Sequence, residues 1–476
     1  MSKKLLVCMA VLSFTLIGTT FAAVENIKVS GDMTAAAVTR DLGMGVDVVA
    51  PGVGGSSADA GDFLMSQIRL RFDADLTENV SVVVGLINER LWGSETDANG
   101  SSEDAEIDLD LGYVELKEFL YDPLSITVGR QPLRYGSGLI VGDPDTNMTA
   151  AVTRDGGNTS NVPAAISDLS MRKSFDAVKA VLDYAPYTVD LVYSKVDEGA
   201  ISVNDDITLM GANVAYMWDS YNGLTEGYFF SSVTENLIGA SVSEMKSKTY
   251  VLGLRSQLDI NDHLTLSGES AYQFGDHYNA ESNDASTLYS HRKAWAALAS
   301  AEYRLLNDYN AKFGGGYTFL SGDDANSKGF EGWDPMFEDT TCGELINVLF
   351  AASNCHLFNF NSSYMPREDV TLSLNYCRAI LAEKLPGSSQ VDDLEGNAQP
   401  YATYTPIAGP ASGYTYAVNS DKKVMGDEID VAALYDYTED VQLKLTGAWF
   451  LPGGYFEGPD NRESAYSVKG GLTVNF

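Results

Sequence analysis

Beyond its first residues the sequence has no stretch approaching the roughly 18 consecutive apolar positions of a membrane-crossing helix. Its 45% apolar content is spread in alternation instead. Basic residues are scarce: 31 Lys and Arg stand against 66 Asp and Glu, a formal charge of −35. A nucleic-acid partner is thereby excluded, since phosphate backbones are met by basic surface. Only four histidines occur, His263, His277, His291 and His356. None forms a Ser/His/Asn constellation of the kind an outer-wall hydrolase needs, so no catalytic residue is expected. Cysteines are also few, four in all, with no CxxC or CxxCH. Zinc ribbons and covalent haem are therefore not indicated, and no cofactor is expected. Two acidic stretches, Asp143–Asn147 and Asp324–Gly329, superficially resemble calcium loops. Met148 stands where the first wants Gly and Arg154 where it wants Glu; the second has Lys328 at a ligand position and Pro335 at the twelfth. Both read as ordinary acidic loops, with no metal site.

The chain opens with Lys3 and Lys4, the apolar run Leu5–Ile17, and Thr20-Phe21-Ala22 before Ala23. This predicts a signal peptide over residues 1–22, which takes Cys8 with it. From residue 25 onward, segments of alternating polarity follow one another, each near the 9–11 tilted residues that span hydrocarbon as a strand. About eighteen such segments can be counted. The connections on one side are tiny, such as Thr77–Asn79, Pro186–Tyr187, Asn261–Asp262 and Thr438–Asp440; those on the other are long and polar, such as Gly136–Arg172, Ser321–Ser353 and Lys384–Gly426. The pattern predicts an all-β fold over residues 23–476: one transmembrane antiparallel up-and-down β-barrel, with short periplasmic turns and long outer loops, in the bacterial outer membrane. A soluble sandwich has no reason to place every long loop on one side. Closure of such a barrel removes its edges, and the last strand is built for it: Tyr466, Val468, Leu472, Val474 and Phe476 share one face. Its terminal aromatic resembles the signal read by the barrel-assembly machinery. A monomer in outer-membrane lipid is expected.

Parity then assigns faces. In 67–76, Ile68, Leu70, Phe72 and Leu76 face lipid, so Arg69, Arg71, Asp73 and Asp75 face the pore. The same reasoning places Lys179, Asp183, Arg255, Glu269, Glu302, Arg304, Lys312, Asp430 and Lys444 inward. A charge on the lipid face would cost about 2–4 kcal/mol at the midplane. The inward set is mixed in sign, so the lumen is near balance although the chain is acidic. Trp218, Tyr221, Tyr184, Tyr187, Tyr435 and Tyr437 suit a periplasmic aromatic girdle; Trp92, Trp449 and Phe450 suit the outer one. The Gly136–Arg172 connection either folds into the pore mouth or forms an exposed lid.

Acid is concentrated in outer loops. Leu42–Asp62, Gly93–Asp104 and Asp276–Ser290 hold ten carboxylates and no Lys or Arg. Such loops are solvated surface, or bind divalent cations at an anionic leaflet. The three cysteines after the signal leave three pairings open. A Cys342–Cys355 disulfide is expected, because both flank one outer loop in an oxidising compartment, with Cys377 left as the free thiol.

Three motifs resemble the alginate-export family of outer-membrane porins. They are Val128-Gly129-Arg130-Gln131-Pro132-Leu133-Arg134-Tyr135-Gly136, Ser174-Phe175-Asp176-Ala177-Val178-Lys179, and the run from Asp427-Glu428-Ile429-Asp430-Val431 to Trp449-Phe450-Leu451-Pro452-Gly453-Gly454-Tyr455-Phe456. The resemblance extends over about residues 60–476. It implies an eighteen-stranded monomeric barrel and passive passage of a solute or polymer. It also implies an arginine-bearing lumen suited to an anionic polysaccharide, with Arg130 and Arg134 in the matching motif. The inward acids depart from a purely basic channel. The expected function is therefore a passive channel for small solutes or a charged polysaccharide. The alternative is an adhesion barrel acting through its acidic outer loops.

Overall fold

The computed structural model describes residues 26–44, 61–93, 107–146, 168–198, 206–236, 245–278, 289–324, 327, 329–340, 342–384, 401–404, 416–456 and 463–476. The expected signal peptide, most of the three acid-rich loops, and parts of both calcium-like stretches lie outside these residues.

Alternating polarity produces strands. In chain order these are β1 (Asn26–Asp41), β2 (Gly61–Thr77), β3 (Val80–Leu91), β4 (Asp108–Leu116), β5 (Leu124–Pro132), β6 (Ser174–Tyr184), β7 (Tyr187–Asp197), β8 (Ile207–Trp218), β9 (Gly223–Asn236) and β10 (Met245–Asn261). There follow β11 (Leu264–Tyr278), β12 (Tyr289–Arg304), β13 (Lys312–Leu320), β14 (Cys355–Arg367), β15 (Val370–Leu381), β16 (Tyr401–Tyr404), β17 (Tyr416–Asn419), β18 (Val424–Asp436), β19 (Val441–Pro452) and β20 (Ala465–Asn475). Among the described residues, strands β16 and β17 pair only with each other; the rest form one 18-stranded antiparallel sheet. Strand β1 pairs with both β2 and β20, so the sheet closes. Gly31 and Phe476 exchange backbone hydrogen bonds of 2.8 and 2.9 Å at the seam. The tight connections fall at the places the sequence marks, including 78–79, 185–186, 262–263 and 368–369.

The outward face is apolar and ringed by aromatics. Leu252 and Leu254 are 58% and 61% exposed where lipid would lie. Tyr184, Tyr187, Trp218, Tyr221, Tyr435 and Tyr437 stand exposed at the short-turn end, and Trp92 and Trp449 at the other. Phe450 departs from its expected place in the outer girdle. It is buried on the inward face, with its ring against Phe350 and Phe456, because it follows Trp449 by one residue and so has the opposite parity.

The long connections supply an interior. Residues 133–141 and 333–337 bring Leu133, Leu139, Ile140, Val141, Trp333, Met336 and Phe337 against inward wall residues Phe175, Val192, Leu209, Phe230 and Val251. A second cluster gathers Leu345, Ile346, Leu349 and Phe350 against Ala379, Leu381, Ala448, Phe450, Tyr455 and Phe456; its loop carries one short helix, α1 (Ile346–Leu349). The Gly136–Arg172 connection thus folds into the mouth at its described ends.

The cysteine pairing differs from expectation. Cys342 is bonded to Cys377, with Cα atoms 5.9 Å apart, and Cys355 is a buried free thiol. Proximity in sequence favoured Cys355, but Cys355 opens β14 and points into the first apolar cluster. Cys377 faces inward on β15, beneath the loop that carries Cys342.

Candidate functional site

Register fixes which side chains enter the lumen. Across β1 and β2, Asp32 stands opposite Arg69 and Lys28 opposite Asp73, while the interleaved Val29, Met33 and Phe72 are exposed outward. Arg69 is bonded to Asp32 at 2.9 Å and Arg71 to Asp73 at 2.7 Å. Asp75 continues the same face toward the short turn. On β10, Arg255 reaches Glu226 of β9 at 2.8 Å, and at the foot of β12 Arg304 bonds Glu302 at 2.7 Å. Lys179, Asp183, Lys312 and Lys444 also have inward parity. Among the described residues, Lys28, Lys179, Lys312 and Lys444 form no ion pair.

Two expected lining residues face inward but are covered. Glu269 lies beneath the turn at Gly136. It accepts hydrogen bonds from the Ser137 N–H at 2.9 Å and the Tyr228 hydroxyl at 2.6 Å. Gly136 has φ +62°, and a Cβ there would collide with the Glu269 carboxylate. Asp430 is covered by the loop of Cys342 and accepts a bond from Asn375 at 2.9 Å, while Asn375 also donates to Cys342 O. Next to it Glu428, fully buried, accepts the N–H groups of Leu345 and Ile346, both at 2.7 Å.

Arg130 is a correction. It stands opposite Asp176 one rung from the outward pair Val128 and Val178, and it bonds Asp176 at 2.8 Å on the lipid-facing side. The position is tolerable because it lies two residues from the outer end of β5, where a lipid-face charge costs about 0–1 kcal/mol. The neighbouring motif residues do other work. Gly129 has φ +121°, and a Cβ there would collide with Gly112 O of β4. Gln131 turns inward and donates to Thr127 O and Ala177 O.

Arg134 is not on the wall. It sits on the inward loop and ties that loop to Asp339, which also takes Lys173 at 2.5 Å. The two inward loops run side by side here: Gly142 N–H donates to Phe337 O at 2.7 Å and Asp339 N–H to Gly138 O at 2.8 Å. The far leg of the long loop spreads over the opposite wall. Arg40 of β1 bonds Asp168 at 2.9 Å. Glu89 of β3 accepts from Ser170 Oγ and Met171 N–H, and Arg172 bridges Asp108 and Asp145. A further ion pair joins Lys469 to Glu344. The described ends of the long loop thus form a strap, its first leg anchored on β7–β11 and its last on β1–β4. Asp339, Lys173, Arg172, Asp168 and Glu344 have no strand parity, so periodicity could not find them.

The clasp is electrostatically poised. Burial opposes ionisation of Asp339, but Lys173 and Arg134 outweigh it and hold the carboxyl below its usual range. Burial, with Asp145 and Asp339 nearby, pushes Asp143 up to about 6. Burial also raises Glu338, which is bonded to Thr340. Among the described residues no cluster of His, Cys, Asp and Glu could hold a metal ion.

The sequence model of a family described as alginate export matches residues 49–469. No curated protein matches the chain by sequence. The fold is similar to that of OccK8 (OprE) of Pseudomonas aeruginosa, with TM-score 0.52 and 10% identity over 95% of this chain and 98% of that one. OccK1 (OpdK) of the same organism gives 0.51 and 11%, over 95% and 99%. OccAB4 of Acinetobacter baumannii gives 0.50 and 8%, over 96% and 99%.

Proposed function

Because the chain belongs to the alginate export family and is a porin-type barrel of the bacterial outer membrane, we propose that it passes small polar solutes passively, with weak charge selectivity. The observation that carries this reading is the strap. Inward loops joined by Asp339, Arg134 and Lys173 pack against the inner wall, a narrowing that favours small cargo over a folded or branched one. Weak selectivity follows from pairing: Arg69, Arg71, Arg255 and Arg304 each hold a carboxylate within 3 Å, so fixed charges of both signs line the passage together. The outward face lies against lipid. In this reading the barrel works as a monomer and the strand ending at Phe476 is read by the barrel-assembly machinery.

A linear polyuronate is the second reading, favoured by the family match. Planar-bilayer recordings separate the two. Small sugar acids and neutral sugars should pass, with a reversal potential near that of free diffusion. Oligouronates of several units should leave the current unaltered. Their blocking the current at micromolar concentration would move the assignment to polymer passage, and the absence of any conductance would leave neither.

A further inference from the structure

Lys248 of β10 and Lys293 of β12 point outward, on the parity of exposed Leu252, Phe274 and Trp295. Lys248 stands opposite Asp276, which stands opposite His291; Lys293 lies one step deeper, opposite Phe274. The two lysines are therefore about 10 Å apart across the strands and about 7 Å apart along them. Extended side chains of this length can converge on one group between them.

Four other outward cations near this rim are occupied: Arg130 by Asp176, Lys195 by Asp206, Lys246 by Glu235, and Arg378 by Asp427. Arg90 of β3 forms no ion pair among the described residues but stands on a distant strand, away from β10 and β12. Lys248 and Lys293 form no ion pair among the described residues. Asp276, the acid between them, is engaged by His291 at 3.2 Å.

Directly beneath lies a continuous aromatic sheet of Phe229, Tyr250, Phe274, Tyr272 and Trp295. Successive ring centroids are 6.3, 5.4, 6.0 and 4.4 Å apart. Outward aromatics mark the height of the membrane–water interface, so the lysines stand at headgroup level. A pair of unoccupied ammonium groups above a broad apolar surface suits an amphiphile with an anionic head and several acyl chains. We propose that this face holds a phosphorylated, multiply acylated glycolipid of the outer leaflet, its phosphate between Lys248 and Lys293 and its acyl chains on the aromatic sheet. On a chain of net charge −35, such a site gives an anionic leaflet a local point of attachment.

Native mass spectrometry of the purified barrel tests this. The probes are a bisphosphorylated acylated disaccharide lipid, its dephosphorylated form, phosphatidylglycerol and inorganic phosphate. The phosphorylated glycolipid should bind tightest. Replacing both lysines (Lys248→Gln with Lys293→Gln) should weaken it about thirty-fold, from roughly 1 kcal/mol per basic residue at an anionic surface. Lys195→Gln, at an occupied rim position, should change nothing, and all variants should keep the heat-modifiable migration of a folded barrel. The proposal is overturned if the double variant binds as the parent does. It is equally overturned if the dephosphorylated lipid, phosphatidylglycerol or free phosphate binds the parent as well as the phosphorylated glycolipid.

Discussion

Replacing Asp339 with Asn removes one charge and almost no volume from the clasp between the inward loops. Asp339 holds Arg134 and Lys173 at once. Both partners are about half exposed, so each pair is worth at most about 1 kcal/mol after solvent screening. The backbone bonds of Asp339 to Gly138 and of Gly142 to Phe337 are untouched by the change. The loss is then about 2 kcal/mol, or roughly thirty-fold in the ratio of loosened to clasped loops. Single-channel recording reads that ratio directly as the time spent in a higher-conductance level. The variant should visit it about thirty times more often, with ion selectivity moved toward anions because two cations are released. A record indistinguishable from the parent would refute the reasoning. It would mean that the apolar contacts of Val141 and Phe337 hold the strap without help from charge.

Three further outcomes are expected. The pH dependence should have two limbs. Asp143 has its carboxyl raised in the folded loop to about 6 from 3.8, so acidification through that window relieves a buried charge and should make openings rarer; Asp339, lowered, loses its pairs only below the ordinary carboxylate range, where openings should become frequent again. Non-reducing peptide maps should join Cys342 to Cys377 and leave Cys355 unreactive until unfolding, and Cys377→Ser should destabilise the loop by about 4 kcal/mol, the entropic worth of closing a 35-residue span; a map joining Cys342 to Cys355 would contradict the fold described. Replacing Arg69 and Arg71 together with Gln leaves Asp32 unpaired and Asp73 with only Lys28 across the strand, so the reversal potential should shift toward cations, and an unchanged value would remove this patch from the permeation path.

The wall was legible because lipid enforces a period of two on every strand. Ile68, Leu70 and Phe72 cannot turn inward without exposing Arg69 and Arg71 to hydrocarbon, so one strand's parity settles ten side chains. Turn chemistry was equally plain at sites such as Asn261-Asp262. The lumen was not legible, for a physical reason: its contents come from loops, which obey no period. Nothing in the spacing of Asp339, Lys173 and Arg134 says that they meet. Glu269 and Asp430 were given the right face but not the loops that cover them. Arg130 fails for a different cause: only the family resemblance gave it to the lumen, whereas its parity with exposed Val128 sets it on the lipid face, near the strand end where a charge costs little. The cysteines failed because short separation in sequence counts for little once a loop crosses the lumen.

The strap also gives one molecule two kinds of interior. The outer wall rests against acyl chains, so its apolar side chains exchange one apolar neighbour for another and contribute little heat capacity when strands separate within a bilayer. Leu139, Ile140, Val141, Trp333 and Phe337 leave water when they pack, and they carry the calorimetric signature of a soluble core. The inward loops should therefore melt as a small water-driven domain, with their own curvature in temperature and their own sensitivity to urea, inside a cylinder that stays closed because its backbone ladder has no water to turn to.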